Sequence, residues 1–180
     1  MVLAATDDDD KAVRAAAVDS TINFLRLNKG VSIPPAIAPR ITSELLRRID
    51  ELAASQEYVC DPMLMDPIDT LIKAGALAEL EGLFDHPDSD VAYVAAEELL
   101  YHNEAPSAIK ALLAIARGDG PRKSDAEESL TDVVLSQFDE PQPTLEQLEN
   151  GDPAVWEELQ ERHAELVRLH ERRLRRQRGS

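Results

Sequence analysis

Residues 69–101 combine an apolar helical period with a glycine and a proline, in an order that few folds accommodate. The sequence of this segment is DTLIKAGALAELEGLFDHPDSDVAYVAAEELLY. Leu77, Leu80 and Leu83 recur every third residue, which places them in one stripe along a helix. Pro87 ends that helix, because proline restricts the residue before it and has no amide to donate. The stretch therefore predicts one unit of an α-helical repeat, whose apolar face a neighbouring unit must cover.

The corner after this helix carries the signals that start another. Gly75 supplies a turn before the first helix, and Asp88 or Asp90 can cap the second by accepting hydrogen bonds from its free amides. The apolar residues of the second helix recur every fourth position: Val91, Ala95 and Leu99. We therefore expect two helices that meet at a tight corner.

The same pattern recurs on both sides of this unit. Leu112 lies 32 residues after Leu80, and Leu130 lies 34 residues after Ala96. Upstream, Ile49 lies 31 residues before Leu80, in a unit whose second helix is interrupted by prolines. These offsets are in the range of helical repeats, so the sequence predicts about two and a half of them.

The run at 72–99 resembles an armadillo repeat and, more loosely, a HEAT repeat. The matching features are the AGAL turn at 74–77, the leucines that follow it and the PDSDV corner at 87–91. The resemblance is good over about 69–101. It implies an all-α fold, a short right-handed α–α superhelix of the armadillo/HEAT type, which here would carry a long C-terminal helix.

Three segments follow from this organisation. We predict a helical repeat domain at 1–138, a linker at 139–151 and a long C-terminal helix with a basic tail at 152–180. The linker begins with DEPQPT, and Asp152-Pro153 is a typical helix start. The last helix has one apolar seam, which either folds back to cap the repeats or pairs with another chain as a short coiled coil.

Composition agrees with a helical protein of the cytoplasm. Aromatic residues make up only 4% of the chain, and no run of alternating β-branched residues indicates a sheet. The single cysteine, Cys60, excludes an internal disulfide and suits a reducing compartment. The first residues lack the basic and apolar regions of a secretory signal, and no 18 consecutive residues are apolar. The DDDDK at 7–11 also matches an enterokinase-type cleavage site, and no function depends on it.

Charge is strongly segregated along the chain. The net charge is −16, yet residues 168–178 contain six arginines and one glutamate, a net +5, which leaves −21 on the rest. Because the residues outside this segment are so acidic, they favour basic protein partners and repel nucleic acid. The C-terminal basic patch comprises Arg168, Arg172, Arg173, Arg175 and Arg176. It is either a helix end that interacts well with the helix dipole, or a contact for nucleic acid, an anionic membrane or a nuclear-import receptor.

The armadillo resemblance suggests where a partner would bind. In peptide-binding armadillo proteins, a Trp and an Asn four residues apart on the third helix of each repeat hold an extended basic peptide. The matching positions here are Glu97 and Tyr101, so the chain departs from that pattern at both. We therefore predict a smaller acidic and aromatic contact, at Tyr93, Glu97, Glu98 and Tyr101.

Residue patterns for catalysis or metal binding are weak. His163 and His170 are two helical turns apart, about 10 Å, which is too far for both to bind one metal ion. HExxH, GxSxG and GxxxxGK[ST] do not occur. The adjacent acids at 97–98 and 127–128 point to different sides of their helices, unlike the paired acids of glycosidases. We predict no enzyme activity, no cofactor and no metal site.

Two functional classes remain. The first is an adaptor or scaffold that binds a peptide or helix of a partner protein on its concave helical face. The second is an acidic immunity protein or antitoxin that covers a basic toxin or nuclease. The first should bind through apolar anchors that survive salt, and the second tightly and with a salt-sensitive association rate. A homo-oligomer formed through the C-terminal helix is also compatible with the sequence.

Overall fold

The computed structural model describes residues 10–27, 33, 37–55, 62–103, 105–139 and 141–178. Within these ranges every regular element is a helix and there is no strand, so the all-α prediction is confirmed. The α-helices in chain order are α1 (Lys11–Leu27), α2 (Ala38–Ser55), α3 (Pro62–Ala74), α4 (Leu77–Gly82), α5 (Ser89–Asn103), α6 (Pro106–Arg117), α7 (Lys123–Ser129), α8 (Leu145–Glu149) and α9 (Pro153–Arg178). Cys60 and the DDDD run at 7–10, apart from Asp10, lie outside the described residues.

Contacts divide the chain into two compact units, one up to Ala95 and one from Ala96 onward, and the division falls within α5. Helix α8 lies inside the range 139–151 that we predicted as a linker. The division into 1–138, 139–151 and 152–180 stays a prediction.

The first unit builds its core from consecutive amphipathic helices. Ile41, Leu45 and Ile49 of α2 are fully buried at a spacing of four, and α2 packs on α3 and on α1. The fully buried residues of the next two helices are Leu64, Ile68 and Leu71 of α3 and Leu80 of α4. Leu77 starts the predicted stripe of α4 but is 41% exposed, so that stripe is buried only in part.

The turns on the two sides of α4 form as their residues predict, the first between α3 and α4 and the second between α4 and α5. Gly75 has a positive φ of 75°, a conformation that costs glycine little. A 3₁₀ turn at Leu83–Asp85 ends before Pro87. Asp88 is the cap of α5, because its Oδ1 accepts hydrogen bonds from the amides of Asp90 (2.9 Å) and Val91 (3.3 Å).

In the second unit, α6 packs on α7 and on the start of α9. The chain continues from α7 through a π turn at Leu130–Val134 and a 3₁₀ turn at Leu135–Gln137. The buried apolar residues are Ile109, Leu112 and Leu113 of α6, Leu130, Val134, Leu135 and Phe138 after α7, Leu148 of α8, and Val155 and Leu159 of α9.

Local signals set the starts of the last two helices. Thr144 and Gln147 form a capping box at α8, with each side chain bonded to the other residue's amide. Asp152 Oδ1 accepts from the amide of Ala154 (2.9 Å), and Pro153 follows the cap, so the predicted start of the C-terminal helix is confirmed.

Candidate functional site

Helix α5 carries all four residues of the predicted contact, but it does not present them alike. Tyr101 is 62% exposed, Glu97 is half-buried, and Glu98 and Tyr93 are only 8% and 5% exposed. We predicted Tyr93 and Glu98 on the binding surface; their burial corrects that placement. Tyr93 lies in the stretch 91–96, which is buried throughout because its alanines and valines admit close packing on every side of the helix.

In the second unit, Glu97 and Glu98 face different neighbours. Ser129 Oγ donates a hydrogen bond of 2.8 Å to Glu97 Oε1, which links α5 to the end of α7. Glu98 Oε2 lies 3.8 Å from Nε2 of His102, one turn further along the same helix. The first contact is a hydrogen bond that holds the half-buried carboxylate of Glu97, whereas the second is only an approach of the buried carboxylate of Glu98 to a histidine of its own helix.

Tyr101 is acted on by carboxylates from three elements, which are α5, α7 and the π turn that follows α7. Burial of part of its ring raises the pKa of Tyr101 above the usual 10.0, and the negative charges of Glu97 and Asp132, then of Glu98 and Glu128, raise that pKa further. The phenol is therefore neutral around pH 7 and can donate a hydrogen bond. We call the set Glu97, Tyr101, Glu128 and Asp132 the acidic Tyr101 face.

The sequence reasoning missed Glu128 and Asp132, both of which are exposed. From the sequence we consider the acidic pair at 127–128 only as possible catalytic acids and set it aside. The available signal was the recurrence of an acidic pair, 97–98 and then 127–128, in the second helices of successive predicted repeats. Only the hydrogen bond of Ser129 to Glu97 shows that the end of α7 lies beside this part of α5, which brings Glu128 to the same side as Glu97.

The C-terminal basic patch lies on the second half of α9. Arg168, Arg172, Arg175 and Arg176 have exposed side chains, whereas only the helical backbone of Arg173 is described. Arg175 contacts Glu171 at 3.4 Å, one turn away, in an ion pair that is open to solvent. The described side chains of the patch are therefore on the surface, and the patch is separate from the acidic Tyr101 face in the chain.

The first half of α9 is attached to its own unit by specific contacts. Val155 and Leu159 are buried, and Trp156 Nε1 donates to the carbonyl of Leu148 (3.2 Å). Lys110 Nζ lies 5.7 Å from the Trp156 ring, a cation–π distance. Arg162 donates to Gln137 (2.5 Å), and its guanidinium lies 5.4 Å from the centre of the Phe138 ring.

The first unit contains a groove between α1 and α2 of about 200 Å³. Its lining residues are Ala15, Val18, Glu44, Arg47, Arg48, Glu51 and Leu52. Arg47 pairs with Glu44 and Glu51, and Arg48 pairs with Asp19. The hydrogen bond to Glu44 is the largest cause of a raised pKa of Arg47. Because the guanidinium groups already have carboxylate partners, this network ties helices together and does not present an open anion site.

A scan against protein-family models, a search of curated proteins and a search of solved structures found no match to this chain. The likeness to armadillo repeats therefore remains a resemblance of sequence pattern. Among the described helices, none has an apolar stretch long enough to cross a bilayer.

Proposed function

We propose that this chain is a non-enzymatic protein-binding module, an adaptor or scaffold, which binds a basic or amphipathic segment of a partner protein on the acidic Tyr101 face. In this proposal the helix pairs stack as a short, right-handed, armadillo-like superhelix, the face belongs to its concave side, and the protein works in the cytoplasm. The packing of consecutive helices within each unit, α2 on α3 and α6 on α7, supports the stacked arrangement.

One observation carries the proposal: a tyrosine that is 62% exposed lies one helical turn after Glu97, whose carboxylate is bonded to Ser129, the residue next to Glu128. A tyrosine contributes a large apolar contact at a small cost in side-chain entropy and keeps a hydroxyl for hydrogen bonding, which makes it a frequent binding anchor. A Lys or Arg of a partner would stack on the ring and pair with the carboxylates around it. The net charge of −16 steers a basic segment toward the protein and repels an acidic one.

A second candidate, an acidic inhibitor of a basic toxin or nuclease, is favoured by the same charge. The two functions differ in how binding energy is divided. An inhibitor of this type depends on charge pairs and steered association, so its complex forms much more slowly when salt rises. An adaptor anchored on Tyr101 loses at high salt only the part of its affinity that the carboxylates contribute, and it loses its partner when the ring is removed.

The test places a photo-activated cross-linking amino acid at position 101 and, as a matched control, at position 24. Phe24 is an exposed aromatic residue of α1 (53% exposed) in the first unit, far from this face in the sequence. Each protein is irradiated in native lysate at about 0.1 M and about 0.5 M salt, and cross-linked peptides are sequenced. We expect Lys- or Arg-rich peptides from position 101 only.

Quantitative binding of the identified peptide then tests the ring and the charges separately. Tyr101→Ala and the pair Glu128→Gln with Asp132→Asn should each weaken binding by about tenfold or more, while Phe24→Ala leaves it unchanged. Loss of binding at 0.5 M salt alone would favour the inhibitor. Equal adducts from positions 24 and 101, or adducts with acidic peptides, would refute the proposed face.

A further inference from the structure

The second unit exposes large apolar side chains in two places, one beside acidic residues and the other beside basic residues. Among its described residues, the large apolar side chains that are exposed are Tyr101, Val167 and Leu169. Tyr101 lies one helical turn after Glu97 and is acted on by the charges of Asp132 and Glu128, whereas Leu169 belongs to the segment 168–178, whose net charge is +5, and Val167 directly precedes it. The two surfaces are therefore complementary in charge, and each has an apolar side chain that can contact the other.

The second half of α9 is suited to an intermolecular contact. From Glu165 to Arg176, every described side chain except that of Leu166, which is half-buried, is exposed. Arg162, which contacts Gln137, is 16 residues before the helix end at Arg178, a rise of about 24 Å. That distance exceeds the Debye length of about 8 Å at physiological salt, so charges beside Arg162 are largely screened from the end of α9.

One stripe of this helix combines charge with apolar area. Arg168, Arg172 and Arg176 follow one another at i, i+4 and i+8, and Leu169 lies beside them. We call these four residues the basic stripe. Pairing of two such stripes with each other would oppose arginine with arginine, which disfavours a coiled coil between these ends of α9.

We propose that the basic stripe of α9 binds the acidic Tyr101 face of a second copy of this chain. Charge complementarity selects this occupant: arginines meet Glu97, Glu128 and Asp132, and Leu169 adds apolar contact beside the tyrosine ring. The exposure of Tyr101 shows that the same chain's own α9 does not cover the face. Self-association then competes with any foreign basic segment, so the chain regulates access to its own binding face.

This inference rests on the proposed function in one respect, that both use the acidic Tyr101 face. The first test is analytical ultracentrifugation of the full chain over a wide range of concentration. We expect concentration-dependent association at about 0.1 M salt that is at least about tenfold weaker at about 0.5 M. A chain that stays monomeric at every concentration overturns the proposal.

Charge reversal identifies the two surfaces. The face-reversed variant carries Glu128→Lys and Asp132→Lys, and the tail-reversed variant carries Arg168→Glu and Arg172→Glu. Each variant alone should associate at least about tenfold more weakly than the wild type. An equimolar mixture should associate again, because the reversed tail meets the reversed face and the unchanged tail meets the unchanged face. Failure of the mixture to recover overturns a direct contact.

A matched control separates specific pairing from net charge. Asp66→Lys with Glu79→Lys makes the same change in net charge at exposed acids of the first unit, and it should leave self-association unchanged. If this control abolishes association as strongly as the face-reversed variant does, the effect is one of total charge and the proposal fails. A wild-type chain that stays monomeric but binds a short DNA duplex, and loses it in the tail-reversed variant, would assign the basic stripe to nucleic acid instead.

The tail-reversed variant also distinguishes this inference from the proposed function. With the cross-linker at position 101, it should still capture basic peptides of other proteins if the proposed function holds, whatever the result on self-association. Cross-links that join position 101 only to α9 of a second copy would uphold the inference and refute a foreign partner.

Discussion

The two halves of α9 form one continuous helix, and they owe their stability to different causes. The first half, 153–162, buries Val155 and Leu159 and bonds through Trp156 and Arg162 to its own unit. The second half, 163–178, is charge-rich and mostly exposed, and it gains from helix propensity, i,i+4 pairs and the dipole at its basic end. The comparison shows that helical structure does not imply packing. A helical segment that does not contribute to the core of its own unit keeps its side chains accessible to a partner.

The largest difference in stability is expected between substitutions of two leucines of α9. Leu159 is fully buried and Leu169 is 44% exposed. Leu159→Ala should lower the free energy of unfolding by about 2–5 kcal/mol, because it leaves a cavity, and Leu169→Ala should change it by less than about 0.5 kcal/mol. Urea unfolding followed by circular dichroism measures both. Equal losses would show that the second half of α9 also packs within the unit.

A smaller effect is expected where Trp156 ties the first half to α8. Trp156→Phe keeps most of the apolar contact but removes the indole N–H that donates to the carbonyl of Leu148, which Gly151 still satisfies. We expect a loss of about 0.5–1.5 kcal/mol in the free energy of unfolding. The matched change Lys110→Met removes the cation over the ring and tests that contact separately. No loss from Trp156→Phe would mean that apolar burial alone attaches α9.

Loss of the N-terminal cap of α9 should lower the free energy of unfolding by about as much as the loss of one hydrogen bond. Asp152→Ala removes the acceptor for the amide of Ala154, at a cost of about 1 kcal/mol, whereas Asp152→Asn retains an acceptor and should cost less. Hydrogen exchange of the amides in the first turn of α9 reports this change locally. If amides in the second half exchange faster by the same factor, the two halves unfold as one unit.

The smallest effect concerns the face that complements the basic end of α9. The folded-state pKa of Tyr101 is raised, so the folded protein holds the phenolic proton more tightly than the unfolded chain does. The resulting stabilisation is fully present below the unfolded pKa of about 10, and it is lost as pH rises through the folded pKa. In the difference between wild type and Tyr101→Phe, absorbance at alkaline pH should show a midpoint above 10.

Variants on the acidic Tyr101 face and on the basic stripe should separate the causes of the raised pKa of Tyr101. Glu128→Gln with Asp132→Asn should move the midpoint of Tyr101 toward 10, since part of the raising charge is gone, while burial of the ring keeps part of the shift. Arg172→Gln should leave the midpoint unchanged in a monomeric sample. A midpoint that does not respond to the two carboxylates would mean that they are not part of one face with Tyr101.

Much of the helix pattern was predictable because its signals are local. The turn at Gly75, the stop at Pro87 and the start at Asp152 each depend on residues within a few positions and appear where the sequence predicts them, and of the two predicted caps, Asp88 and Asp90, the structure has Asp88. The exposure of Leu77 was not predictable from spacing, since a stripe says which residues share a side of a helix and not which of them a neighbour covers.

The candidate site was predictable only in part, for the same reason. Spacing placed Tyr93 and Tyr101 on one helix, eight residues apart, but could not tell that one is 5% and the other 62% exposed. The resemblance to armadillo repeats directed attention to Glu97 and Tyr101. It gave no reason to include Glu128 or Asp132, whose link to Tyr101 depends on the packing of α7 beside α5.

The sequence by itself determined that this chain is helical, where the corners and caps of α5 and α9 lie, and that its charge is divided between an acidic body and a basic end. Those properties follow from short-range hydrogen bonding, backbone restriction and composition. The tertiary structure alone decided which tyrosine is exposed, which carboxylates surround it and where α9 stops packing. Burial and local electrostatics depend on residues that are distant in the chain, and only packing brings them together.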